Sequence, residues 1–267
     1  MRLNRGVGSG ILERMESPIR RQYLALKQRH PDDILLFRLG DFYETFDGDA
    51  QTVSRELDIV LTSRDMGQGV RVPLAGIPAH SLEPHLARLV RQGHRVAICE
   101  QLAEAGSVKG LLPRDVVRVV TPGTVTEPAL LIPTENNYLA AFLVDGHRGA
   151  VATVDVSTGE LSATEVRGAD AGARLLGELS RLRVAELLLP EGASLPDRTQ
   201  GAASSEAPCA LACPVAHLPP WQFDYDEARR AILEAFEVAS LDGFGLGDLR
   251  AATRAAGALL LYLHEHQ

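Results

Sequence analysis

The sequence predicts an α/β protein in two domains, and three observations carry that expectation. Its 267 residues exceed the roughly 100–200 residues of one ordinary domain. Short apolar runs alternate with segments of helical period, the pattern of sheets covered by helices. Between two such regions lies an aperiodic stretch, Thr121–Pro133, with three prolines and one glycine, which reads as a linker. The expected bounds are a disordered extension over 1–16, a first domain over 17–120, a linker over 121–134 and a second domain over 135–267.

In the first domain, Ser17-Pro18 is a helix start, with Ser as N-cap and Pro at the first helical position. Ile19, Tyr23, Leu24 and Leu26 follow at near-helical spacing until His30-Pro31 ends the run. Ile34–Leu39 reads as a short strand broken by Gly40-Asp41. Asp49–Leu57 reads as a helix, and the β-branched Ile59–Thr62 as a strand. Met66–Gly69 reads as a flexible tip. Ser81–Gln92 places Leu82, His85, Leu86 and Leu89 on one helical face and stops at Gly93. Strands are expected over Arg95–Glu100 and Val116–Val120.

The second domain begins with strands Tyr138–Val144 and Ala150–Ser157, joined across Asp145-Gly146 as a hairpin. A third strand spans Gly159–Val166, followed by a helix over Ala171–Leu182 and a buried strand over Ala185–Leu189. Gly192–Pro220 is polar, rich in Ala, Ser and Pro, and reads as an irregular insertion. Asp224–Phe236 and Leu246–His264 are amphipathic helices.

Composition narrows the functional classes. Hydrophobic residues make up 45%, charged residues 23%, and the mean hydropathy is -0.01, as in ordinary globular proteins. No apolar run approaches the ~18 residues of a membrane span. Arg2 and Arg5 are not followed by the apolar core of a secretory signal. Three cysteines are too few for a disulfide framework and suit a reducing cytoplasm, the expected location. Residues 1–130 hold 17 Lys and Arg against 16 Asp and Glu, while residues 131–267 hold 10 against 19. A protein held to nucleic acid by bulk charge would be basic. Any such contact therefore belongs to the first half and is local.

One segment is singled out, Phe37-Arg38-Leu39-Gly40-Asp41-Phe42-Tyr43-Glu44. On an extended chain Phe42 and Glu44 share a face. An exposed aromatic can wedge between base pairs. A carboxylate beside it repels phosphates, and makes sense only if it reaches a base edge and accepts a hydrogen bond there. On composition alone, Phe42 and Phe46 read rather as core residues and Glu44 as a surface acid.

This stretch resembles the mismatch-reading motif of the MutS family, Phe-x-Glu within Gly-Asp-Phe-Tyr-Glu. Further blocks follow in the family's order: Leu61-Thr62-Ser63-Arg64, Pro73–His80, Val96–Gln101 and Val119–Thr124 are similar to its first domain. Asn137–Ala141 and Asp155–Glu160 are similar to its second, the connector. The resemblance implies a small mixed α/β mismatch-recognition domain followed by a connector of ribonuclease H-like topology. It implies that Phe42 stacks on a mispaired base, that Glu44 hydrogen-bonds it, and that Arg38, Asp41, Thr62, Arg64, Ile77, Pro78 and His80 line the same DNA face. The implied partners are mismatched duplex DNA, a MutL-type protein docking on the connector, and a second copy in the full-length protein; no membrane is implied. The family's ATP and Mg²⁺ belong to a P-loop domain near its C-terminus. Lys27 and Lys109 are followed by Gln28 and Gly110 rather than Ser or Thr, so this chain has no Walker A motif. It is expected to need no cofactor, to be no enzyme, and to form the N-terminal part of a longer protein.

Two other classes remain open at this stage. Asp155, Glu160, Glu178 and Glu186 suggest a metal-dependent nuclease, because ribonuclease H-like enzymes hold two Mg²⁺ ions with acids on such strands. The acidic second half suggests a protein-interaction module that does not touch DNA. Cys209, Cys213 and His217 resemble a partial zinc set without a fourth ligand.

Overall fold

The computed structural model describes residues 17–65, 71–103, 110–127, 130–131, 134–196 and 213–266. The expected extension over 1–16, the Met66–Gly69 tip, Lys109 and Cys209 lie outside the described residues. Two compact units divide after Val120.

The first unit opens with α1 (Pro18–Arg29), whose Ser17 Oγ accepts the Arg20 N–H at 3.3 Å as the Ser-Pro start requires. Strands β1 (Ile34–Leu39) and β2 (Phe42–Phe46) form a hairpin across Gly40-Asp41, with Gly40 at φ +58°. They are followed by α2 (Asp47–Leu57), β3 (Thr62–Asp65), β4 (Arg71–Pro78), α3 (Leu82–Arg91), β5 (Val96–Gln101) and β6 (Arg114–Val120). The six strands form one sheet in the order β3-β4-β2-β1-β5-β6, with only the β1–β5 pair parallel.

On one face, Tyr23 of α1 meets Phe46 edge-on at 4.7 Å and Phe37 at 5.7 Å. Leu26, Leu35, Val72, Ala97, Cys99 and Val119 complete that cluster. Tyr43, Thr45, Ala75 and Ile77 point the other way and are also buried. The sheet is therefore covered on both sides, and α2 and α3 pack on β2, β4 and β5.

The second unit is built on β7 (Tyr138–Asp145), β8 (Arg148–Asp155) and β9 (Glu160–Arg167), an antiparallel meander. Next come α4 (Ala171–Leu182), β10 (Glu186–Pro190) and β11 (Val215–Leu218). The spatial order is β11-β10-β7-β8-β9, with β10 parallel to both β7 and β11. Counted within the unit this is 3-2-1-4-5 from the β9 edge, the ribonuclease H-like order. Leu175 and Leu179 of α4 cover one face. Helices α5 (Tyr225–Ala235) and α6 (Arg250–His266) cover the other. Helix α6 presents a wide face of small residues, and a Cβ placed on Gly257 would lie 2.2 Å from Ala228 Cβ and 2.3 Å from its Cα. The two helices meet there in near backbone contact.

Several sequence expectations shift. Ile59–Leu61 is not strand; the β-branched run leads into an edge strand that starts at Thr62, where pairing with Leu74 begins. The expected linker begins as a packed segment, with Thr121–Val125 buried in the second unit. Its anchor is Glu186, nearly fully buried: Oε2 accepts the Thr121 hydroxyl and the Gly123 N–H (2.9 Å), and Oε1 accepts the Tyr262 hydroxyl at 2.7 Å. The described part of the Gly192–Pro220 stretch contributes β11, an unexpected strand. The last helix starts at Arg250 rather than Leu246. Its first N–H groups, Ala251 and Ala252, are capped from β9 by Glu165 Oε2 at 2.9 and 3.4 Å, a carboxylate at the positive end of the helix dipole.

Candidate nucleic-acid interface

The hairpin turn sets the parity of everything around it. With only Gly40-Asp41 in the loop, Leu39 pairs with Phe42, Arg38 with Tyr43 and Phe37 with Glu44. Phe42, Glu44 and Phe46 therefore share one face. Helix α1 shelters the Phe46 end, where Phe46 is 0% exposed, while Phe42 at the other end is 45% exposed. A large aromatic presented outward from an otherwise covered sheet is unusual.

Strand β4 brings further residues alongside. Phe42 pairs with Pro78 and Glu44 with Gly76. A Cβ on Gly76 would sit 3.6 Å from the Phe42 ring and 3.9 Å from Glu44 Cγ, so the bare glycine leaves the Phe42–Glu44 face open. Pro78 is half-buried, and the exposed His80 follows in a single 3-10 turn, Ala79–Ser81. That turn is tied to the hairpin tip by the Ala79 N–H, which donates to the Asp41 carbonyl at 2.8 Å. Asp41, Phe42, Pro78 and His80 thus gather at one end of the sheet. From the edge strand β3, exposed Thr62 and Arg64 lie on the same face as Glu44, and Arg64 Nη1 donates to Glu44 Oε2 at 2.8 Å. Burial pushes the Glu44 carboxyl up, with Arg64 opposing part of that rise.

Two residues of the expected face are turned away from it. Arg38 pairs with Tyr43 on the opposite side, where its guanidinium lies 5.1 Å from the Tyr43 ring and Nε donates to the Gly40 carbonyl at 2.6 Å. Ile77 also pairs with Tyr43 and is 0% exposed. Its side chain is core and offers the Phe42–Glu44 face no surface. The Tyr43 hydroxyl is held by Glu100.

Sequence reasoning missed Gly76, whose place opposite Glu44 emerges only from the cross-strand register. The strand expected over Ile59–Thr62 also gave no sign that Val60 and Leu61 are exposed, Val60 at 80%. No sequence signal distinguished them from core residues.

The acidic residues of the second unit do not converge. Asp155 spends Oδ1 on its own turn, accepting from the Ser157 hydroxyl (2.6 Å) and N–H (3.0 Å), and Oδ2 on the Asn137 N–H (3.1 Å) ahead of β7. Glu186 is committed to Thr121, Gly123 and Tyr262. Glu160 and Glu178 line a separate groove of about 280 Å³, where Glu178 is paired with Arg181 at 2.5 Å. Among the described residues no three His, Cys, Asp or Glu side chains group at metal-holding distance. No helix among them is long and apolar enough to cross a membrane.

Comparison with known proteins bears on both units. The family model for MutS domain I matches residues 17–129 and that for MutS domain II matches residues 137–267. The DNA mismatch repair protein MutS of Dehalococcoides mccartyi (strain 195) is 44% identical over 253 residues, covering 94% of this chain and 28% of the relative. That of Symbiobacterium thermophilum is 46% identical over 250 residues, covering 93% of this chain and 28% of the relative. The chain thus spans little more than a quarter of the length of these relatives.

Proposed function

The chain belongs to the MutS family through that family's first two domains, and on this premise we propose that it recognises mispaired or unpaired bases in duplex DNA, the opening step of mismatch repair. The observation that carries the proposal is Phe42, 45% exposed on a strand hydrogen-bonded along both edges, with a carboxylate beside it and a bare glycine beneath. In this reading Phe42 enters the duplex at the mispair and stacks on a base. Glu44 then accepts a hydrogen bond from a base N–H that a matched pair would keep to itself. A mispair is already poorly stacked, so bending and unstacking the duplex there cost less than at a matched step. One wedge therefore serves many mispairs and small loops.

Asp41, Thr62, Arg64, Pro78 and His80 flank the wedge, and Thr62, Arg64, Pro78 and His80 are assigned to the sugar-phosphate backbone around it. Arg38 acts behind the strand, holding the hairpin turn through the Gly40 carbonyl. The local charge is close to balanced and the second half is strongly acidic, so counterion release contributes little. We therefore assign most backbone affinity to parts of the relatives beyond the matched length, and expect this chain alone to bind weakly. It carries out no chemistry: ATP and Mg²⁺ are assigned to those other parts, and the ribonuclease H-like unit to contact with a MutL-type partner. A second copy is assigned to the full-length protein.

The test titrates labelled matched duplex and the same duplex with one mispair at two salt concentrations. A preference for the mispair at both supports the reading. Equal affinity overturns it, and Mg²⁺-dependent strand cleavage would replace it with the nuclease reading.

A further inference from the structure

Arg64 and Glu44 hold one another across the face that the recognition reading assigns to DNA. The guanidinium comes from the edge strand β3, where all four residues are exposed, and reaches diagonally past β4 to the carboxylate at 2.8 Å. No β4 side chain stands beside Glu44, because its partner there is Gly76. The Glu44 side chain is 17% exposed and that of Arg64 46%, so the carboxylate is sheltered while the guanidinium borders solvent. Arg64 is also the one guanidinium paired with this carboxylate among the described residues. An arginine so placed has a competing partner of the same geometry in the DNA backbone, since phosphate accepts the same two-pronged donation as carboxylate.

We propose that Arg64 determines specificity by pair exchange: it holds Glu44 closed in the free protein and on matched duplex, and passes to a backbone phosphate when Phe42 enters a mispair. The inference rests on the recognition reading. On matched DNA the closed pair presents a neutralised carboxylate, so Glu44 neither repels the phosphates nor offers itself to a base. Once the wedge enters, the backbone comes close enough for a phosphate to take the guanidinium. Glu44 is then released at the one position where a base edge is open to it. The cost of breaking the pair is offset by the Arg64–phosphate contact, so the exchange is near balance and responds to whether the wedge has entered. Arg64 is thus a positioning residue for Glu44 as well as a backbone contact.

The test titrates matched and single-mispair duplex with the 267-residue chain, with Arg64→Gln, with Glu44→Gln and with the double variant. In the wild-type background Arg64→Gln is expected to weaken matched binding about two- to fivefold more than mispair binding, the range of a partly exposed ion pair. Only matched binding is then left facing a bare carboxylate. In the Glu44→Gln background, with no carboxylate to hold, the substitution should weaken mispair binding more than matched binding, because only the wedged duplex brings a phosphate onto the guanidinium. Arg64→Lys should restore most of the matched affinity. Equal weakening of both duplexes in both backgrounds overturns the exchange and leaves Arg64 a plain backbone contact, and no effect on either duplex overturns it as well. A wild-type chain without preference for the mispair overturns the recognition reading and the exchange with it. A preference unchanged by Arg64→Gln overturns the exchange alone. Amide hydrogen exchange of β2 and β4, equal in all five proteins, excludes misfolding as the source of any difference.

Discussion

Phe42 and Phe46 are the same residue type on the same face of one strand, four residues apart, and the recognition reading requires them to fail in opposite ways. Phe46 is 0% exposed and its ring meets Tyr23 edge-on at 4.7 Å. Truncating such a ring costs about 3–5 kcal/mol. Phe42 keeps 45% of its surface in water, so Phe42→Ala gives up roughly half the transfer term and leaves no closed cavity, about 1–2 kcal/mol. For DNA the order reverses. Phe42→Ala removes a ring–base stack of about 1–3 kcal/mol, which is roughly 5- to 150-fold in mispair affinity, and brings it toward the matched level. Stability has to be read within the first unit. The single tryptophan, Trp221, lies in the second unit, so its fluorescence follows the wrong transition, and two units need not unfold together. Hydrogen exchange at β1 and β2 amides in rising urea reports the first unit directly, and fluorescence anisotropy of labelled duplex reports binding. The reasoning is refuted if Phe42→Ala destabilises β1 and β2 as much as Phe46→Ala does. It is equally refuted if mispair preference survives the loss of the ring.

Other substitutions test separate parts of the account. Glu44→Ala leaves the Arg64 guanidinium without its carboxylate, a net positive charge toward a polyanion, and removes a base contact, so matched-duplex affinity should rise while the mispair-to-match ratio falls; unchanged values for both would make Glu44 an ordinary surface acid. Gly257→Ala forces α5 and α6 apart, because the new methyl would meet Ala228 backbone atoms, and should cost about 1–3 kcal/mol in chemical denaturation followed by Trp221. The paired Gly257→Ala and Ala228→Gly variant should recover part of that loss. Asp155 tests pH linkage: burial raises its carboxyl pKa, but hydrogen bonds from Ser157 and Asn137 outweigh it and hold the group below its ordinary value. A lowered folded value contributes stability above the unfolded pKa of about 3.9, and that stability disappears as pH falls through the folded value. Asp155→Asn should therefore be less stable than wild type by about 1–3 kcal/mol at pH 7, and the gap between the two denaturation curves should close as pH falls below the ordinary carboxylate range; a constant gap across that fall would contradict the linkage.

What the sequence made legible was whatever depends on local geometry. Ser17-Pro18 marked a helix start because capping involves neighbours within three residues, and the meander order of the second unit followed from period-two apolar runs. The shared facing of Phe42 and Glu44 needed only an extended chain. What escaped depends on distant partners. Arg38 turns behind the sheet because a two-residue loop pairs it with Tyr43, and Ile77 joins it there through the β2–β4 register. Thr121–Val125 has the composition of a linker yet is buried, because Glu186, more than sixty residues later, satisfies its polar groups. Ile59–Leu61 has the β-branched content of a strand, but hydrogen-bonded pairing with β4 starts only at Thr62.

Strand β2 is bonded to β1 on one side and β4 on the other, in a sheet covered on both faces. A ring mounted there can change rotamer but has almost no travel. In the proposed encounter the compliance therefore belongs to the duplex. A ring on a loop would move to suit whatever groove it met, and its own motion would absorb the difference between a firm step and a loose one. Held fixed, it passes that difference undiminished into the binding free energy, so the first unit works as a gauge whose needle is the DNA.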